Sequence, residues 1–156
     1  MSSRLQVFSP SDRSLLAELD WDGPEQVDKA LATAQQLHQH RDLWLPKYRR
    51  IELLEALAGA IAGRHEEITR TAASEGGKPW KDSVVEIDRA ILGVKAAIHH
   101  LFTRVGEEVP MGQSAATAGR LAWRVFEPIG PVVAISAFNH PFNLLIHQAI
   151  PAIAAG

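Results

Sequence analysis

No cysteine occurs anywhere in the 156 residues. That absence excludes disulfides, thiolate metal sites and any cysteine nucleophile within this chain. Long hydrophobic runs are missing as well. The longest weakly polar stretch, residues 141–156, contains His147 and Gln148 and is too short to span a bilayer. The opening MSSRLQVFSP lacks the apolar centre of a secretory signal. Neither sign of charge dominates: 16 Lys and Arg against 18 Asp and Glu leave a net charge of −2. Nothing in that balance favours nucleic acid or an anionic membrane as a partner. A cytoplasmic location is the expectation. No internal repeat and no low-complexity linker interrupts the chain. What remains is an ordinary globular composition, 46% apolar and 22% charged, at the length of one domain with a real core.

Residues 5–8 and 14–19 read as two short strands around a turn, 9–13. Asp22-Gly23-Pro24-Glu25 then opens a helix, with a capping residue, a first-turn proline and an acid near the positive helix end. Val27, Leu31, Ala34 and Leu37 follow at helical spacing. A second helix is expected from about Pro46, with Ile51, Leu54, Leu57, Ile61 and Ile68 on one side. The stop signal Glu75-Gly76-Gly77-Lys78-Pro79 ends it. A third helix runs from about Trp80 to Thr103, where Val84, Ile87, Ile91, Val94, Ile98 and Leu101 step by threes and fours.

Beyond Gly106 the texture changes. Residues 120–126 alternate as a half-exposed strand, with Leu121, Trp123 and Val125 on one face. Residues 127–130 turn the chain. Residues 131–135, PVVAI, form a continuous apolar run, as expected of a parallel strand covered on both faces. Residues 136–140 read as a loop, and Pro141 opens a last helix that Gly156 is placed to cap. A parallel strand needs a neighbour, so a further strand is expected beyond Gly156, and the chain is expected to be a truncated one.

Asn139 is the candidate of greatest interest. It stands where a buried strand gives way to a helix, the edge at which open α/β sheets bind ligands. A side-chain amide can donate to a developing oxyanion. Read from the residues alone, capping of the helix opened by Pro141 is the favoured role. Several weaker signals carry no site. Gly76-Gly77-Lys78-Pro79 lacks the spaced glycine and following Ser or Thr of a phosphate loop, and His65-Glu66-Glu67 lacks the second histidine of a zinc-protease helix. His99 and His100 diverge around a helix and form no metal pair. No metal site is expected. Lys47, Arg49 and Arg50 read as a solvated face, and Lys78 and Arg89 as ion-pair residues more readily than as readers of an anionic substrate.

The segment EPIGPVVAISAFNHPFNLLIHQAIPAIAAG, residues 127–156, resembles the aldehyde dehydrogenase superfamily. That family shows an E-P-[IVL]-G-[PV]-V turn and strand, a loop like P-[FW]-N-[FH]-P, and a helix ending P-A-[LI]-A-A-G. Upstream, Glu75 to Pro79 resembles the family's E-x-G-K-P, followed by the Glu86-Ile87-Asp88-Arg89-Ala90 pattern. The resemblance covers nearly the whole chain. It implies an α/β fold: the N-terminal part of the aldehyde dehydrogenase fold, with helices, an incomplete Rossmann-like cofactor domain and an oligomerisation strand. Residues 1–156 would be a partial cofactor-binding domain, with 107–127 a projecting oligomerisation hairpin and the catalytic domain absent. From physics alone a hairpin folded back on its own domain is equally expected; Trp123 or Phe126 would serve the contact to a partner.

The resemblance also reverses the reading of Asn139, to a catalytic donor on the oxyanion of the tetrahedral intermediate. It sets Ile135, Ser136, Ala137 and Phe138 beside the nicotinamide ribose of NAD or NADP, though Ile135 is equally readable as plain core. Ala137 departs from the usual proline and His140 from the more frequent phenylalanine, which clouds the substrate class. Asn143 is read as solvating the first helical turn rather than facing substrate. The implied reaction is oxidation of a small aldehyde to a carboxylic acid by a homo-oligomer. It needs a cysteine thiolate and a glutamate that activates water, both beyond this chain in the family. The cofactor site would be incomplete, and the chain alone inactive. The alternative is a non-catalytic truncated chain that serves as an oligomerisation or interaction module.

Overall fold

The computed structural model describes residues 4–156; residues 1–3, where the stretch read for a secretory signal begins, lie outside the described residues. Strands β1 (Arg4–Phe8) and β2 (Leu15–Asp20) pair antiparallel, Leu5 opposite Leu19 and Val7 opposite Ala17. Asp12 closes their turn by accepting from the Ser14 amide and hydroxyl. Helix α1 (Pro24–Gln39) has proline in its first turn, and the Gln26 side chain accepts the Gly23 N–H at 3.0 Å. Its apolar stripe is not buried: Val27, Leu31 and Leu37 are all exposed.

The single helix expected from Pro46 onward is two helices, α2 (Lys47–Gly63) and α3 (His65–Gly76). The break falls at Arg64, whose backbone leaves the helical region at φ −112°, ψ 18°. Glycines at 59 and 63 weaken the end of α2. Arg64 then grips Glu67 in the first turn of the next helix, where an acid is favoured by the helix dipole. Gly77 ends α3 in the left-handed region at φ +60°, and a Cβ there would collide with Pro10 Cγ. Only glycine fits that turn, which sets Lys78 and Pro79 ahead of helix α4 (Trp80–Thr103).

Helix α4 is the centre of the molecule. It packs against α2, α3 and helix α5 (Pro141–Ala155). Ile87, Ala90, Val94 and Leu101 of α4 meet Leu54, Ala58 and Ile61 of α2 and Ile146, Ile150 and Ala154 of α5. The spacing by threes and fours seen in the sequence is therefore the core stripe of α4. On α2, Arg50 departs from the solvated face expected of it. It is half-buried and donates to the Ala154 carbonyl, at the C-terminal end of α5 where a cation is favoured. Gly156 caps α5 as expected, its N–H bonded to the Ala152 carbonyl.

Strands β3 (Glu107–Val109) and β4 (Ala122–Arg124) form an antiparallel pair, Glu108 opposite Trp123. The base of this excursion is tied to the body by Arg41, which grips Glu127 with both terminal nitrogens, and by Arg104 over the Phe126 ring at 4.0 Å. Trp123, Val125 and Phe126 stay exposed.

A further expectation is overturned. Residues 131–135 are not a covered strand. Among the described residues the strands form two antiparallel pairs, and this run belongs to neither. Val132, Val133 and Ile135 are exposed, Val133 to 70%. The apolar pattern records what the segment is suited to lie between, and no described segment supplies a ladder for it. Among the described residues, no helix is long and apolar enough to cross a membrane.

Candidate active site

The loop between residue 131 and α5 carries all five sequence-predicted site residues, Ile135, Ser136, Ala137, Phe138 and Asn139. All five are exposed. Their backbone is nevertheless held at several points. The Gln148 carboxamide, from α5, brackets Ile135: its Oε1 accepts the Ile135 N–H at 2.8 Å and its Nε2 donates to the Ile135 carbonyl at 2.8 Å. Gln148 thus gives Ile135 the pair of bonds that one rung of a strand ladder would give. The Ser136 hydroxyl donates to the Pro141 carbonyl at 2.7 Å, closing the loop on itself. Ile135 is 78% and Phe138 90% exposed, so neither is core among the described residues.

Asn139 is not the cap of α5. The residue at that position is His140, which makes no side-chain capping bond. Instead a carboxylate from another helix does the capping. Glu86 Oε1 accepts the N–H of Phe142 at 2.9 Å and of Asn143 at 3.1 Å. These are orphan amides of the first helical turn, and a negative charge there is favoured by the helix dipole. Glu86 is only 1% exposed. A carboxylate so buried needs a counter-charge, and Lys78 supplies it by pairing with Oε2.

The Lys78 ammonium has three protons to donate and three acceptors around it. Beside Glu86 these are the Asn139 carbonyl at 3.4 Å and His140 Nδ1 at 3.2 Å. The same His140 nitrogen lies 3.7 Å from Glu86 Oε2. Burial pushes the Glu86 carboxyl upward, but the Lys78 hydrogen bond, the two amide donors and the Lys78 charge together outweigh it. The net effect holds Glu86 below its ordinary value. These contacts favour the carboxylate form of Glu86.

The outcome is a loop held at Ile135, Ser136 and the Asn139 carbonyl, with the side chains of Ile135, Phe138 and Asn139 exposed. The Asn139 carbonyl is tied down while its carboxamide is bonded to nothing among the described residues. Asn143 does not solvate the helix turn as expected. It is half-buried, and its Oδ1 finds no hydrogen-bond partner among the described residues. A separate cleft of about 690 Å³ lies between the C-terminal halves of α4 and α5, walled by His100, Arg104, Phe126 and Pro151. It includes no residue of the 135–140 loop and is not the candidate site.

Sequence reading missed Glu86 as a site residue. A signal was present: Ser83, Glu86 and Ala90 lie on one buried stripe of α4, and a carboxylate on such a stripe demands a partner.

The chain belongs to the aldehyde dehydrogenase family, whose model matches residues 1–156. It is similar to 3-sulfolactaldehyde dehydrogenase from Priestia aryabhattai, at 30% identity over 155 residues, which are 99% of this chain and 32% of the relative. Among solved structures it superposes on aldehyde dehydrogenase 21 from Physcomitrella patens in complex with the reaction product succinate. That match has a TM-score of 0.93 and 30% identity, covering 99% of this chain and 32% of the other. The glyceraldehyde-3-phosphate dehydrogenase of Methanocaldococcus jannaschii complexed with NADP gives a TM-score of 0.88 at 29% identity, over 100% of this chain and 32% of that one. The fold is thus the N-terminal part of the aldehyde dehydrogenase fold, and the chain spans about a third of the length of the relatives it matches.

Proposed function

We propose that these residues act as the N-terminal portion of an aldehyde dehydrogenase that oxidises an aldehyde to a carboxylic acid with NAD or NADP. The observation that carries this reading is the held loop: Asn139 presents a free carboxamide from a segment bonded at Ile135 and Ser136 before it and at Phe142 and Asn143 after it. In the proposed role that amide donates to the aldehyde oxygen as the carbon becomes tetrahedral and the oxygen negative. Water and aldehyde go to acid, two electrons and a proton leave as hydride, and one further proton is released. NAD or NADP, when bound, accepts the hydride.

Ile135, Ser136, Ala137 and Phe138 suit a wall of the cofactor cleft. Exposed apolar side chains on a held backbone offer a flat surface to a ring, and the family likeness includes an NADP complex. The remaining walls, the thiolate nucleophile and the water-activating glutamate belong to the part of the family's length that this chain does not span. The exposed Trp123 and Phe126 of the β3–β4 excursion suit contact with a second subunit, which makes the whole enzyme a homo-oligomer in this reading. A cytoplasmic setting, a small polar or charged aldehyde as substrate and no nucleic-acid or membrane partner complete the proposal; 3-sulfolactaldehyde in the name of one relative supports that substrate class.

With no cysteine, the 156 residues are expected to form no NAD(P)H from any aldehyde by themselves. Absorbance at the reduced nicotinamide band, with small polar aldehydes and either coenzyme, is the check. The whole enzyme is expected to give a signal where the chain gives none. Turnover by the chain above the blank would defeat this account of its chemistry.

A further inference from the structure

We infer that Glu86 is the positioning residue of the Asn139 loop, fixing from helix α4 the backbone on which the oxyanion donor is carried. The inference rests on the function proposed above and adds to it a residue that touches neither substrate nor cofactor. Three observations meet at this one side chain. Its Oε1 holds the amides of Phe142 and Asn143, three and four positions after Asn139. Its Oε2 holds Lys78, and the same ammonium reaches the carbonyl of Asn139 itself. The carboxylate and its partner therefore hold the chain at the Asn139 carbonyl and again at the Phe142 and Asn143 amides.

The anchor is also a stiff one. Glu86 precedes Ile87 and lies one turn before Ala90 on the most deeply buried stripe of α4; Ile87, Ala90 and Val94 are fully buried. Its position is set by the core that α4 forms with α2 and α5. An ion pair serving stability alone needs only a counter-charge. This one spends all its contacts on the start of α5 and the loop before it. A donor amide works only when aimed at where the charge develops, and a misplacement of about 1 Å can cost about 10²-fold in rate.

The test is a double-mutant cycle in the whole enzyme carrying this segment. Single-turnover rate, KM for NAD or NADP and hydrogen exchange over residues 138–145 are read in Glu86→Ala, Glu86→Gln, Asn139→Ala and the combinations. Glu86→Ala is expected to lower the single-turnover rate by about 10²-fold, with the coenzyme KM changed by no more than about twofold and faster exchange at the Phe142 and Asn143 amides. Glu86→Gln keeps an acceptor for those amides and is expected to recover about tenfold of the loss.

If Glu86 acts through Asn139, replacing Asn139 costs little more once Glu86 is gone; independent roles give costs that multiply. Should Glu86→Ala fail to fold, the cycle between Glu86→Gln and Asn139→Ala carries the same test. Multiplying costs, or an unchanged single-turnover rate in the Glu86 variants, would overturn the inference. An Asn139→Ala enzyme of full activity would instead remove the proposed oxyanion role of Asn139 on which the inference rests.

Discussion

Replacing Asn139 by alanine in the whole enzyme is expected to slow the chemical step by roughly 10²–10³-fold, the usual size for losing one oxyanion donor. The loss should appear in the single-turnover rate and equally in kcat/KM, because the amide's bond forms as the oxygen gains charge. Ground-state binding of the coenzyme should be unaffected, since the wall proposed for it at Ile135 to Phe138 does not include the Asn139 side chain. The substitution should also be nearly neutral for stability: the carboxamide is exposed and bonded to nothing described, so alanine removes no internal contact. That pairing, a large kinetic effect with little thermodynamic one, separates a catalytic role from a helix-capping one. A capping asparagine would cost about 1 kcal/mol in stability on going to alanine. An unchanged rate with a lower melting temperature would support the cap.

Replacing Lys78 by methionine is expected to carry a large cost in stability. It keeps the length of the side chain and removes the charge beside the buried Glu86. Breaking a buried pair by deleting one partner costs about 3–5 kcal/mol. The lower end applies here, because the Phe142 and Asn143 amides still serve one carboxylate oxygen.

The pH dependence has a definite sign. The Glu86 carboxyl is held below the ordinary glutamate value of 4.5, so its contribution to stability is fully present above that value. It is lost as pH falls through the lowered folded value. The cost of Lys78→Met should therefore be greatest near neutrality and shrink in acid, where a protonated carboxyl needs no counter-charge. Adding Glu86→Gln to Lys78→Met should recover part of the lost stability. Urea midpoints of the four proteins at neutral and acid pH measure this. A cost that does not change with pH would show that lost packing, rather than charge, dominates.

The parts of the fold legible in the sequence are those governed by local rules. The step of α4 through Ile87, Val94 and Leu101 and the opening of α5 at Pro141 follow from spacing and from proline's fixed dihedral. The stop at Gly77 follows likewise from glycine's access to positive φ. What the sequence hides depends on groups far apart in the chain. Glu86 meets amides 56 and 57 positions away, and Arg50 a carbonyl 104 positions away. No periodicity announces either. Residues 131–135 mislead for a related reason: their apolar run describes a suitable environment, while a strand also needs backbone partners, and here Gln148 alone supplies them to Ile135. The break at Arg64 is hidden because the apolar pattern continues across it to Ile68.

Of the candidate site, position and family likeness point to the loop and to Asn139. They do not point to the apparatus that holds them. Its parts look ordinary one by one: a lysine after two glycines, a glutamate in a helix, a glutamine two turns into another. Only their convergence on residues 135–143 gives them a role.

The most direct test of the central claim is a crystal structure of the whole enzyme trapped with an aldehyde-derived adduct. Asn139 Nδ2 is expected about 2.7–3.1 Å from the oxygen of that adduct, with the Glu86 bonds to Phe142 and Asn143 intact. An adduct oxygen held by other donors, with the Asn139 carboxamide turned away from it, would contradict the account.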